Sequence, residues 1–255
     1  MPSEPPLSLP FGGEESYRRA VREKYNAVEI WPQSDRWLTH VKEFIAATLA
    51  EWRPKLGLTP ASRILNAGSG DESYNVSPGM VVDCDIADRK LVGLPHGVAG
   101  DITRLPLRSG AVDCCVCVGS VVNYVDVTRA IEEIARVVKP EGKVVLEFES
   151  SRSLEYVFTR HFGEDATRVS TFYIYENENI WVYHEEHVRK LLAQAGFRVV
   201  AERRAHFMAP LFYRFRKDLH WAARFAVLDK FVSWMPFLRR HSANVIFLCE
   251  RRPLH

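Results

Sequence analysis

The chain has 255 residues, with 34 Lys and Arg against 32 Asp and Glu and a formal charge of +2. That length supports one α/β core with appended structure, and the near balance of charge excludes a strong field for binding polyanions. With 47% hydrophobic and 26% charged residues, the composition is that of an ordinary soluble globular protein.

Met1 to Pro10 is Pro-rich and lacks the basic-then-apolar pattern of a secretory signal. No run of about 18 apolar residues is free of charge, so no spanning helix is expected and the chain reads as cytoplasmic. Residues 1–57 are expected to form an N-terminal arm with two helices, 14–26 and a second from Ser34 or Asp35 to Trp52, closed by Pro54 and Gly57. Tyr25, Trp31 and Trp37 gather around the Trp31-Pro32 break, either to pack the arm down or to roof a cleft. Residues 58–255 form the second unit, with short apolar strands at 62–67, 80–86, 97–100, 112–118 and 143–149 and a helix at 127–138. Such runs between turn residues indicate a parallel sheet covered on both faces.

An insertion at 150–184 follows, carrying an aromatic hairpin whose strands, Phe172–Tyr175 and Ile180–Tyr183, are joined through Glu-Asn-Glu-Asn. A helix at 185–195 stops before Gly196, and strands at 197–202 and 244–250 flank a helical insertion at 211–240. Phe212, Phe215, Leu219, Ala222 and Ala226 share one face of that insertion, with Arg214, Lys217 and Arg224 opposite. It docks on its own domain or grips an anionic membrane through Trp221, Trp234, Phe237, Arg239 and Arg240. The five cysteines, at 84, 114, 115, 117 and 249, are read as reduced core residues, because a strand sends Cys114 and Cys117 to opposite faces.

The chemistry concentrates after the first strand. Arg63-Ile64-Leu65-Asn66-Ala67-Gly68-Ser69-Gly70 runs an apolar strand into G-x-G, a bend that lets a nucleotide-like ligand approach main-chain N–H groups. The next strand ends in Asp85, fifteen residues beyond Gly70. A nicotinamide site is disfavoured: the third glycine would fall at Ser73, no helix follows, and the acid comes early. Further on stand Gly100-Asp101-Ile102, the strand ending at Val118, and Val137-Val138-Lys139-Pro140-Glu141-Gly142 before Lys143-Val144-Val145-Leu146-Glu147-Phe148.

This order of parts resembles the class I S-adenosylmethionine-dependent methyltransferases over roughly residues 60–204. The resemblance implies a Rossmann-like α/β fold with a seven-stranded, mostly parallel sheet of order 3-2-1-4-5-7-6, its last strand antiparallel. It implies S-adenosyl-L-methionine as cofactor, with Asn66, Ala67, Gly68 and Gly70 around its methionine portion. Asp85, with Ile86 beside it, would accept from the ribose hydroxyls, and Asp101 from the adenine amino group while Ile102 covers the ring. Gly119 and Ser120 would lie where cofactor and acceptor meet. Two departures stand out: Asn66 replaces the usual acid, and Glu72 the third glycine. Only Asp71 to Gly79 separate Gly70 from the next strand, so a loop is expected in place of the first crossover helix.

Methyl transfer demands alignment more than metal, and positioning can supply up to about 7–11 kcal/mol. His184-Glu185-Glu186-His187 spaces its histidines three apart, not the four of a zincin, so no metal is expected. Tyr124, His184 and His187 are the candidate bases, set against a structural account that takes precedence for each. Tyr25, Trp31, Tyr124, Tyr173 and Tyr175 are the candidate acceptor contacts. The N/D-P-P-Y/F signature of amino-group methylation on DNA adenine is absent after the fourth strand, and no nucleic-acid partner is expected. The expected activity is methylation of oxygen or nitrogen on a small molecule, a specialised metabolite or sugar or glycan precursor. The alternatives are a membrane-associated lipid or quinone methyltransferase and a non-catalytic binding protein that keeps the fold.

Overall fold

The computed structural model describes residues 14–74, 76, 78–173, 176–232 and 235–253. Residues 1–12, Tyr175 and Trp234, all named above, fall outside these, as does the side chain of Tyr173. Strands β1 (Arg63–Ala67), β2 (Met80–Asp85), β3 (Gly97–Ala99), β4 (Val112–Cys117) and β5 (Val138–Glu149) pair in parallel. β6 (Ala166–Tyr173) and β7 (Glu176–Tyr183) form a separate antiparallel hairpin. β8 (Phe197–Ala205) and β9 (Asn244–Arg251) complete the main sheet, β9 running antiparallel to both its neighbours. The order β3-β2-β1-β4-β5-β9-β8 is the expected seven-stranded one, with the hairpin outside the sheet.

Strand alternation builds the two faces. Leu65, Cys115, Cys117, Leu146 and Phe247 point toward helices α3 (Val127–Val137) and α4 (Glu185–Gln194). Ile64, Cys114, Val116, Val145 and Ile246 point toward α2 (Arg36–Leu56), which buries Val41, Ile45, Leu49 and Trp52. Cys114 and Cys117 therefore lie in different cores, and all five cysteines are buried free thiols. The short β1–β2 link is a loop, as expected, and Trp31, Tyr74 and Val76 pack on the sheet beside α2. Helix α1 (Glu14–Ala27) precedes α2, whose N-cap Asp35 accepts from the backbone N–H groups of Trp37 and Leu38.

Three expectations are corrected. Pro54 does not close α2 but lies inside it, and the helix ends at Gly57, which takes the left-handed conformation. Tyr173 pairs with Glu176, so Glu176–Asn179 belong to β7; Glu178 then faces an ion-pair partner, Lys24. The 211–240 stretch is not one amphipathic helix. Helix α5 (Met208–Arg216) stops where Lys217 adopts φ 55°, and Asp218 caps a new turn at Leu219–Ala222. That break resets the helical phase, so Ala222 and Ala226 are buried while Phe215 is 73% exposed.

Candidate active site

The strand order reverses between β1 and β4, and open α/β sheets bind ligands beyond the carboxyl ends of their strands at such a point. A cleft of about 100 Å³ lies there. Gly68, Asp85, Ile86, Asp101, Ile102 and Gly119 line its floor and walls, and Tyr17, Arg18, Val21 and Tyr25 of α1 cover it. The β1–β2 turn needs its glycines: Gly68 and Gly70 have φ of 72° and 54°, and a Cβ on Gly68 would run into Val121. The N–H groups of Gly68 and Ser69 donate to the Cys84 carbonyl at 2.7 and 3.2 Å.

Asp85 is 8% exposed; its Oδ2 accepts the Gly70 N–H and its Oδ1 the Ala87 N–H, both at 2.7 Å. A carboxylate has about four acceptor positions, so lone pairs remain for two further donors. Burial pushes its carboxyl above the ordinary range, and the backbone hydrogen bonds oppose that rise. Asp101 Oδ1 accepts from the Thr103 N–H and hydroxyl, both at 2.7 Å. Its Oδ2 lies 2.8 Å from Arg18 Nε, an ion pair whose angle falls outside hydrogen-bond geometry. Two acids thus face one slot with Ile86, Ile102 and Val121 between them, a donor-accepting and apolar set that fits an adenosyl group.

Helix α1 is latched over this slot. Arg22 makes a bidentate pair with Asp88 at 2.9 and 3.0 Å, and Asn26 donates to the same carboxylate. The pairing holds Asp88 well below the usual carboxylate range. Lys24 pairs with Glu178 on the hairpin, Tyr124 donates to Glu178 at 2.6 Å, and the Tyr25 ring meets the Tyr124 ring edge-on at 5.7 Å.

The other candidates are distributed differently. Asn66 is 1% exposed, and its amide donates to the Glu72 carbonyl and to Asp83 Oδ1 at 2.8 and 2.9 Å. Both its donors are therefore used within the chain, and it stands behind the cleft wall together with Ala67. Gly70 approaches Ile30 instead of lining the cleft. Ser120 takes φ 59° and donates its N–H to Glu147 at 2.5 Å, facing a second cavity on the far side of the β4 tip. Trp31 packs beside Gly119, and Tyr25 and Tyr124 line the cleft. His184 caps α4 by accepting the Glu186 N–H, and His187 borders a surface groove with Trp181 and Tyr183. Neither histidine lines the cleft, and no cluster of metal-ligating side chains occurs among the described residues.

Sequence reasoning missed three acids at and beyond the end of β5, two of them buried and Glu149 half-buried. Glu147 lies wholly inside β5, bonded to Ser120 and to Asn244 at 2.8 Å, and burial raises its carboxyl. Glu149, at the strand's end, is pushed up to about 8, and Glu155 to about 7, in both cases chiefly by burial. A charged residue within the apolar run Val144–Phe148 was the available signal.

Residues 72–146 match the methyltransferase domain family. The demethylmenaquinone methyltransferase of Mycobacterium sp. (strain KMS) is 30% identical over 152 residues, a match covering 55% of this chain and 66% of the relative. That of Mycolicibacterium gilvum (strain PYR-GCK) is 29% identical over 148 residues, covering 54% and 64%. The chain thus spans just under two thirds of the length of these relatives. Among solved structures, geranyl diphosphate C-methyltransferase from Streptomyces coelicolor A3(2) shares the fold with a TM-score of 0.57 at 12% identity, covering 92% of this chain and 98% of that one. Burkholderia thailandensis 1,6-didemethyltoxoflavin-N1-methyltransferase gives 0.54 at 12% identity, covering 97% and 94%. Both were solved with S-adenosylhomocysteine. Sheet order and cleft position agree with the match over residues 72–146: the chain carries a methyltransferase-type domain of Rossmann-like fold.

Proposed function

We propose that this chain transfers a methyl group from S-adenosyl-L-methionine to an oxygen or nitrogen atom of a small molecule. The observation that carries the reading is the convergence of Asp85 and Asp101 on one apolar slot beneath α1. When bound, the cofactor supplies an electrophilic methyl group on a sulfonium. The chain's residues supply position. Asp85 accepts from the ribose hydroxyls, Asp101 from the adenine amino group, and Ile86 and Ile102 flank the base. The Gly119-Ser120 turn, pinned by Glu147, separates this slot from the acceptor side, so both partners meet at the β4 tip. Titration with S-adenosylhomocysteine in a calorimeter tests the reading. Micromolar binding that weakens in Asp85→Asn supports it, whereas no binding at millimolar concentration favours a non-catalytic protein of this fold.

A second reading, a lipid or quinone acceptor reached at a membrane surface, has its own support. Phe215, Phe231 and Phe237 are 73%, 69% and 67% exposed in the segment that carries Arg214, Arg216, Arg239 and Arg240. The name of the mycobacterial relatives points the same way. Flotation with phosphatidylglycerol vesicles, for the natural chain and a Phe215→Ser/Phe231→Ser/Phe237→Ser variant, separates the two. Failure of the natural chain to float removes the membrane version.

A further inference from the structure

Across the Gly119–Val121 turn from the cofactor slot lies a second chamber, of about 30 Å³, enough for about one water. Ser120, Glu149, Ser153 and Glu155 line its inner side. Four rings surround it: Trp37 from α2, Tyr156 after β5, Phe172 from the hairpin and Tyr213 from α5. It leads outward, past Phe172, Tyr213 and Leu219, into a vestibule of about 610 Å³ edged by Ser170, Lys217 and His220. The route runs from solvent to Ser120, whose neighbours Gly119 and Val121 line the cofactor slot.

The two carboxyl groups differ in their partners. Glu155 lies 3.8 Å from Lys217, with Arg214 also acting on it. Glu149 faces the acids Glu147, Glu155 and Glu178, with the Ser120 hydroxyl opposing their effect. Among the described residues no Lys, Arg or His forms an ion pair with it. A carboxylate left uncompensated in a low-dielectric cavity is unfavourable, and it is relieved by protonation or by a cation brought from outside. Rings around such a carboxylate add cation–π attraction for an organic ammonium.

We propose that the acceptor is a primary or secondary amine whose body sits in the vestibule and whose ammonium alone reaches into this chamber, held by Glu149 beside the aromatic side chains, and that Glu149 takes up the proton the nitrogen must lose. This rests on the methyltransferase reading and narrows it to nitrogen. The ammonium N–H proton passes to the Glu149 carboxylate, leaving a neutral amine and a neutral acid. The nitrogen lone pair then forms the bond to the methyl carbon while the carbon–sulfur bond breaks and its electron pair stays on sulfur. The sulfonium becomes a neutral thioether, and the methylated nitrogen carries the positive charge. Glu149 is suited to the exchange because its environment raises its proton affinity toward that of amines.

The test is calorimetry on the full chain, with and without S-adenosylhomocysteine. The probes are phenethylamine, tyramine and ethanolamine, each beside the alcohol that carries oxygen in place of its nitrogen. The natural chain is expected to bind at least one amine tenfold or more tighter than its alcohol. Glu149→Gln should abolish that preference while changing S-adenosylhomocysteine affinity less than threefold. Phe172→Ala, at a ring already 42% exposed, should weaken the amine severalfold in a protein whose fold is not at risk. Equal binding of amines and alcohols, no binding of any probe, or a preference surviving in Glu149→Gln overturns the proposal. So does a loss of S-adenosylhomocysteine binding in Glu149→Gln as large as the loss for the amine, since the acid would then serve the cofactor. If the natural chain binds amines selectively but not S-adenosylhomocysteine, the methyltransferase reading falls while the amine site stands.

Discussion

Asp85→Asn tests the cofactor geometry most directly, because it keeps the shape of the side chain and removes only charge and one acceptor. In the natural chain the carboxylate holds two backbone N–H groups at 2.7 Å and turns its remaining lone pairs to the cleft. Hydrogen bonds to a charged group are worth about 1.5–3 kcal/mol each, against about 0.5–1.5 for neutral pairs. Two ribose hydroxyls losing that difference weaken S-adenosylhomocysteine by about 2–3 kcal/mol, roughly 30- to 160-fold. A separate loss falls on folding. The new amide must present its NH2 to one of the two backbone donors, which costs about 1–3 kcal/mol. For a chain of this size each kcal/mol lowers Tm by about 2–4 °C. Calorimetric titration gives the first quantity and a thermal melt the second. A folded Asp85→Asn protein whose affinity stays within threefold of the natural chain would show that the ribose lies elsewhere.

Stability should form a dome in pH with two identifiable limbs. Glu149 and Glu155, raised from 4.5 to about 8 and about 7, contribute stability that is complete below pH 4.5 and lost as pH rises through 7 to 8. His206, buried beside Trp37 and His40 and lowered from 6.5 to about 3, contributes stability present above pH 6.5 and lost on acidification. Urea melts from pH 4 to 9 should therefore flatten above pH 5 in Glu149→Gln and below pH 6.5 in His206→Asn, each by up to about 1.4 kcal/mol per pH unit. Unchanged limbs would refute the assignment. Gly68→Ala, strained at φ 72° and pressed on Val121, is expected to cost about 1–3 kcal/mol and to lower S-adenosylhomocysteine affinity at least tenfold, read by melt and titration. Asp88→Ala cuts the Arg22 and Asn26 latches of α1, so stopped-flow release of S-adenosylhomocysteine should quicken severalfold while Tm moves by less than about 4 °C.

Much of the sheet was legible because its information is local. The apolar runs, the G-x-G bend and the acid at the end of β2 are each set by a few neighbouring residues, and the resemblance supplied the strand order that periodicity could not. Asn66 stands at a motif position whose surroundings the motif does not reveal. Asp83 and the Glu72 carbonyl take both its amide donors. The 211–240 segment was misread because its helical pattern continues through Lys217, where the backbone itself turns left-handed. Glu149 and Glu155 were hidden for a different reason. Their environment is made by α2 together with the hairpin and α5, which lie more than 100 residues beyond it, and no local pattern records that enclosure.

Lys24, Tyr25, Tyr124 and Glu178 fasten the covering helix to the hairpin that walls the other chamber. One linkage therefore joins the covers of two cavities. Any movement of α1 that opens the slot is expected to pull on the wall of the other chamber, so that filling one should alter binding at the other.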